Sequence, residues 1–250
     1  MDFMIAKLFG FVMVATRIST FFLLAPVFSW KAVPVRVKVA TTVFISIFFT
    51  MISPSAVKAT DISPMRAVLF LANEATYGLA LGFVAAVLFS AVKLAGRIIE
   101  RQMGMAMAEV MDPLSGERSQ PLGSLIEMIF VLIFLAANGH HMLLIILNKS
   151  YEAFPAGQIP SVASLAGGAV EASSMMLSAA LRISAPILAA FIILMVTLAI
   201  LARVVPEMNI LFISFPLRVG MGLLMVAAFF PLIAGYLDEL TKLMSRLIPI

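Results

Sequence analysis

The only side chains in this 250-residue chain that ordinarily titrate near neutrality are His140 and His141, and they stand side by side. Neighbouring residues on a helix point in different directions, so the pair offers no chelating face, and no HExxH spacing accompanies it. The chain has no cysteine, and its acidic residues are scattered singly between apolar runs. That leaves no zinc ligand set, no thiol nucleophile and no disulfide framework. Neither G-x-S-x-G nor a P-loop occurs. Catalytic residues, cofactor and metal are all expected to be absent, and His140 and His141 read as interfacial or hydrogen-bonded structural residues.

Charges stand inside apolar segments, where each costs several kcal/mol in hydrocarbon unless it is paired or faces a wet cavity. Singled out among them are Arg17, Glu74, Glu127 and Arg182. Two of each sign point to buried pairing between helices that fixes their register and assembly, with a proton or ion relay as the other reading. Glu74 forms an i, i+4, i+8 row with Gly78 and Gly82, so the carboxylate lies in line with a Gly-xxx-Gly face that admits another backbone. That face is expected to meet protein.

These residues have to be positioned by membrane helices. Hydrophobic residues make up 62% of the chain and charged ones 12%, against about 45–50% and about 25% in soluble domains. The net charge is +4, but the basic residues sit singly between apolar segments, which argues for membrane-flanking charge and against nucleic acid. Six apolar segments are drawn at 8–28, 39–53, 67–92, 125–147, 172–202 and 208–237. No small-x-small cleavage site follows the first, where Ser29-Trp30-Lys31 stands, so it is expected to be retained. The second reaches only about 22 Å and the fifth about 46 Å, against a hydrocarbon core of about 30 Å. If the segments alternate, Lys and Arg divide six against eight, so charge counting sets no orientation. Helices that mostly touch other subunits would account for both features.

Between the third and fourth segments, residues 96–123 carry Met103, Gly104, Met105, Met107 and Met111 before Asp112-Pro113-Leu114-Ser115-Gly116 supplies turn chemistry. Thioethers on a Gly-containing backbone make a deformable apolar surface able to seal and repack, and the alternative is an amphipathic re-entrant loop. Arg203, Pro206 and Asn209 mark a hairpin corner, and Pro186 and Pro216 are expected to kink or break the long segments around it. Residues 236–250 are amphipathic, with Leu237, Leu240, Met244 and Leu247 set against Asp238, Glu239, Lys242 and Arg246. The expected fold is all-α, one membrane-associated helical domain over 1–250 with long kinked helical hairpins. Arg-Ile-Ser recurs at Arg17 and Arg182, but nothing around it aligns, and midspan polar groups are too few for a selective solute site. A small-solute channel or carrier is therefore the weaker reading, and an intramembrane enzyme lacks a nucleophile and base.

The order and spacing of certain residues resemble the FliR/SctT family of type III export-gate proteins over essentially the whole chain. These are Arg17 with Ala25-Pro26-Val27-Phe28, Pro34 with Arg36 and Lys38, Glu74 with Gly78 and Gly82, and Gly96 with Gln102-Met103-Gly104. They continue with Asp112-Pro113, Gly116, Arg203-x-x-Pro206-Glu207-Met208-Asn209-Ile210 and Phe215-Pro216-Leu217-Arg218. The last region is closer to flagellar members than to injectisome ones, although Arg218 stands where Lys is often expected.

The resemblance implies a subunit that joins FliP and FliQ in a helical assembly at the flagellar basal body, acting with FlhB and FlhA. Such an assembly is the gated pore for unfolded export substrates in the bacterial inner membrane, with its core raised toward the periplasmic side. The family's plug loop maps onto the segment around Gly104 to Gly116. The resemblance thus implies that Met105, Met107 and Met111 help fill the closed lumen while Gly104 and Pro113–Gly116 let the loop move aside. The injectisome-type SctT role is the alternative.

Overall fold

The computed structural model describes residues 2–29, 33–52, 64–105, 121–157, 162–205, 210–229, 231, 235–237 and 239–240. Seven helices cover most of them: α1 Asp2–Leu24, α2 Val35–Ile52, α3 Pro64–Gln102, α4 Pro121–Ala136, α5 Gly139–Ala153, α6 Val162–Val204 and α7 Ile210–Ala228. There is no strand among the described residues, and the fold is all-α. Four helices are long and apolar enough to cross a bilayer, or five if α4 and α5 count as one broken span.

The helix limits differ from the apolar segments for local reasons. α2 starts at Val35 rather than 39, because the Pro34 carbonyl accepts the amides of Val37 (3.0 Å) and Lys38 (3.2 Å) and so sets the first turn. α3 runs on to Gln102 instead of stopping at 92, since Lys93, Arg97, Glu100 and Arg101 end hydropathy but are good helix formers. The fourth segment is interrupted at Asn138, which takes the left-handed conformation (φ 59°) with Gly139 behind it. Pro186 and Pro216 leave α6 and α7 helical across them, contrary to a break, and the rigid ring costs each helix one backbone hydrogen bond. α7 ends at Ala228, well short of 237.

The chain forms two compact units. The first comprises Met1–Leu88, Leu135–Met175 and Leu240–Ile250, and the second Phe89–Phe134 and Met176–Glu239. In the first, α1 packs on α2 and on the glycine face of α3. A Cβ at Gly82 would lie 2.8 Å from the Phe21 carbonyl oxygen, and one at Gly78 would overlap Thr20 Oγ1 and the Arg17 carbonyl. Met13, Val14, Ile18, Phe21 and Phe22 form the buried side of α1. In the second unit α3 and α4 meet backbone to backbone, where a Cβ on Gly96 would stand 2.7 Å from Gly123 Cα. Phe89 packs edge-on against Phe130 and Phe134, with ring centroids 5.4 and 4.7 Å away.

Much apolar surface stays uncovered. Only Ser46 and Phe49 of α2 are buried, and Phe44, Phe48, Phe212 and Leu224 are among the large exposed hydrophobic side chains. α6 has 43 residues, about 64 Å at 1.5 Å per residue and twice the hydrocarbon thickness.

Glycine-to-alanine exchanges should divide by site. Gly78→Ala is expected to destabilise the chain by at least about 1–3 kcal/mol, because the obstructing atoms include backbone. Gly220→Ala, with nothing within 4 Å, should be neutral or stabilising by up to about 1 kcal/mol through helix propensity. Thermal melts of both variants in detergent, followed by circular dichroism, check the contrast.

Candidate functional site

Arg17 lies in the middle of α1, and its side chain is fully buried, as is that of Glu74 on α3. Arg17 Nε donates to Glu74 Oε2 at 2.6 Å. Its Nη1 donates to the carbonyls of Phe154 (3.1 Å) and Ser150 (3.2 Å), which belong to the C-terminal end of α5. The guanidinium thus also neutralises the negative end of a helix. Two aromatic rings lie against it, Tyr151 at 4.2 Å and Tyr77 at 4.8 Å from ring centroid to Cζ. The second carboxylate oxygen, Glu74 Oε1, accepts the Gly157 amide at 2.9 Å. Gly157 itself adopts φ 95°, a conformation that glycine takes without strain. Tyr151 donates its hydroxyl to the Val14 carbonyl at 3.2 Å, tying α5 back to α1. One cation and one carboxylate therefore hold α1, α3, α5 and the turn after α5. All of these groups belong to the first unit.

Glu127 and Arg182 behave differently. Glu127 pairs with Lys93 at 2.7 Å and Arg182 with Glu239 at 2.9 Å, so neither joins the Arg17–Glu74 pair. Neither is buried within this chain: Arg182 is 71% exposed and Glu127 37% exposed. Each sits on the outer side of its helix and takes its counter-charge from the neighbouring segment of the second unit. Ser150, Phe154, Gly157, Tyr77 and Tyr151 were not singled out by the sequence. Tyr77, three residues from Glu74 on the same helix face, was the one accessible signal.

At the end of α3 the Gly104 amide donates to Arg101 O (3.1 Å) and the Met105 amide to Glu100 O (3.4 Å). With Gly104 at φ 80°, this is a Schellman cap. Gly104 therefore terminates α3, at the start of the segment that the sequence marked as a loop. Met103 is fully buried, and a Cβ on Gly222 of α7 would stand 2.6 Å from its sulfur. It packs inside this chain because the glycine leaves room for the thioether. Met107, Met111, Asp112, Pro113 and Gly116 lie outside the described residues.

At the hairpin corner, Arg203 is in the last turn of α6, whereas Pro206 and Asn209 lie outside the described residues. Met244, Leu247, Lys242, Arg246 and Asp238 lie outside them too, while Leu240 is buried. The His140 and His141 ring centroids lie 4.2 Å apart with the planes tilted by 39°. No cluster of three potential metal ligands occurs among the described residues.

Residues 8–244 match the family model described as bacterial export proteins, family 1. The chain belongs to that family. It is 32% identical over 218 residues to the flagellar biosynthetic protein FliR of Escherichia coli strain K12, a match covering 86% of this chain and 82% of that protein. The flagellar biosynthetic protein FliR of Bacillus subtilis strain 168 is 30% identical over 222 residues, covering 87% and 84%. The Yop proteins translocation protein T of Yersinia pestis is 28% identical over 171 residues, covering 68% and 66%. In this family member, the region matched by the family model contains every residue of the Arg17–Glu74 node.

Glu74→Gln should destabilise the chain by about 3–5 kcal/mol, because it strands a buried guanidinium. The double exchange Arg17→Met with Glu74→Leu should lose less than the single one, with a residual cost of about 1–3 kcal/mol from the uncapped carbonyls of α5. Melting temperatures of the three proteins in one detergent decide between these orders.

Proposed function

We propose that this chain is a structural, non-catalytic subunit of a flagellar type III export gate. In that role it assembles with FliP- and FliQ-like subunits, acts with FlhB and FlhA, and helps form the gated pore for unfolded flagellar subunits. The observation that carries this reading is the similarity to flagellar FliR proteins over 82–84% of their length, with the family match spanning 8–244. The uncovered helices support it: α2 with two buried residues and α6 at twice the bilayer thickness need protein neighbours. An injectisome-type role has the match to the translocation protein T in its favour, but that match covers less of both chains. The location that follows is the bacterial inner membrane at the flagellar basal body, with the core toward the periplasmic side.

Within that reading the methionine-rich stretch is the plug. Met103, packed at Gly222, and Gly104, capping α3, are its fixed root. Met105, Met107 and Met111 fill the lumen, Asp112, Pro113 and Gly116 form the bend, and the segment moves from Met105 onward. Glu127, Arg182, Arg203, Pro206, Asn209 and Pro216 then serve assembly and the hairpin corner rather than transport chemistry.

Native mass spectrometry of the tagged chain with and without FliP- and FliQ-like partners tests the assembly. A discrete hetero-oligomer with poor recovery of the lone chain is expected, and a stable homo-oligomer indifferent to those partners would overturn it. Deleting residues 106–115 in the assembled gate should raise membrane ion leakage, and unchanged leakage would sink the plug assignment.

A further inference from the structure

Three cations set within helices find their acids inside this chain: Arg17 has Glu74, Lys93 has Glu127 and Arg182 has Glu239. Arg218, near the middle of α7, does not. Among the described residues it makes no ion pair, and its Nε is enclosed with no hydrogen-bond partner. Its place in the helix also denies it an exit at either end. At 1.5 Å per residue it lies about 12 Å from the start of α7 and about 15 Å from the end, farther than an arginine side chain reaches.

Two contacts within the second unit bracket Arg218. One turn further on, Gly222 receives Met103, and one turn back, Phe215 Cδ2 lies 3.9 Å from where a Cβ on Gly104 would stand. The guanidinium is thus half-buried between the end of α3 and the outer surface of α7. That outer surface is apolar, with Phe212, Leu217, Leu223 and Leu224 exposed on it. Under the assembly reading a neighbouring subunit covers such a face. Covering it without a counter-charge would strand a desolvated guanidinium, so the cover has to bring an acid.

We propose that α7 docks against a helix of an unlike subunit that carries an aspartate or glutamate within an apolar run, and that this carboxylate pairs with Arg218 across the interface. The inference rests on the assembly reading given above. Charge complementarity selects the occupant, because the planar N–H donors of a guanidinium match the two oxygens of a carboxylate. A second copy of this chain fits less well, since Glu74, Glu127 and Glu239 are already held by their own cations. Such a copy would have to bring an acid such as Glu171, which is exposed on α6.

The test is native mass spectrometry of the full chain co-expressed with FliP- and FliQ-like subunits, together with detergent melts of the chain alone. Arg218→Met should leave the melting temperature of the lone chain unchanged and cut its incorporation into the hetero-oligomer by about thirtyfold or more, the effect of removing one partner of a desolvated pair. Arg218→Lys should lose less, and Arg101→Met, at an exposed cation of α3, should lose nothing. Arg218→Glu should do worse than Arg218→Met, because it sets like charges face to face. A melting temperature lowered by Arg218→Met would place the counter-charge inside this chain and overturn the proposal. Arg218→Glu no worse than Arg218→Met would overturn it too, since the neighbour would then offer no acid. So would a homo-oligomer lost equally with Arg218→Met and Glu171→Gln, which assigns the contact to a second copy. An unmutated chain that enters no hetero-oligomer would sink the assembly reading itself, whereas equal incorporation of the unmutated chain and every variant would sink the pairing at Arg218 alone.

Discussion

A fully buried guanidinium is costly to leave without a counter-charge, and the first unit is arranged around supplying one to Arg17, although its Nη2 stays without a hydrogen-bond partner. Leaving Arg17 unpaired in a low-dielectric interior would cost several kcal/mol, more than the net worth of most contacts that hold helices together. Glu74 alone would not suffice, because the guanidinium also presents donors toward α5 and two flat faces. The carbonyl end of α5 takes the donors at Nη1, and the Tyr77 and Tyr151 rings pack against the guanidinium. The close approach of α1 and α3 follows from the same demand. An ion pair at 2.6 Å between mid-helix residues leaves no room for side chains alongside it, and Gly78 and Gly82 supply the space.

Glycine plays a similar part in the second unit, where Gly96 faces Gly123 and Gly222 receives Met103. Each contact is made by removing a side chain on one helix so that backbone or a thioether can approach from the other. Such contacts depend on shape rather than on hydrophobic area, which suits a medium where apolar side chains gain little by leaving their surroundings. The large apolar residues are consequently free to face outward, as they do along α2 and α7. Among the described residues, the interior combines these glycine contacts with one fully buried ion pair, while many large apolar side chains stay exposed.

How far this could be read from the sequence depended on the residue. Arg17 and Glu74 stood out because charge in an apolar run is costly, and the glycine row after Glu74 identified a face for close packing before its partner was known. Their bond to each other was not legible, since several intramembrane charges allow more than one pairing and only tertiary placement separates Glu127 and Arg182 from the node. The contributions of Ser150, Phe154 and Gly157 were invisible because they act through backbone atoms, which carry no residue-type signal. Hydropathy located the helices but not their ends. Those ends are set by Pro34, by the cap at Gly104 and by the left-handed Asn138, features of local backbone geometry rather than of apolar content.

The node also imposes an order on biosynthesis. Arg17 enters the membrane with the first helix, 57 residues before Glu74 and 137 before the Phe154 carbonyl. At about 5–20 residues per second, the ribosome needs about 3–11 s to deliver the carboxylate alone. Throughout that interval α1 carries an unanswered charge worth about 2.5–3.5 kcal/mol against insertion. The first helix therefore has reason to linger at the insertion machinery or at the bilayer surface until α3 arrives, and the amide of Gly157 closes the arrangement only after α5 is complete. A chain released before α3 arrives would leave the Arg17 guanidinium without its carboxylate in an otherwise apolar helix.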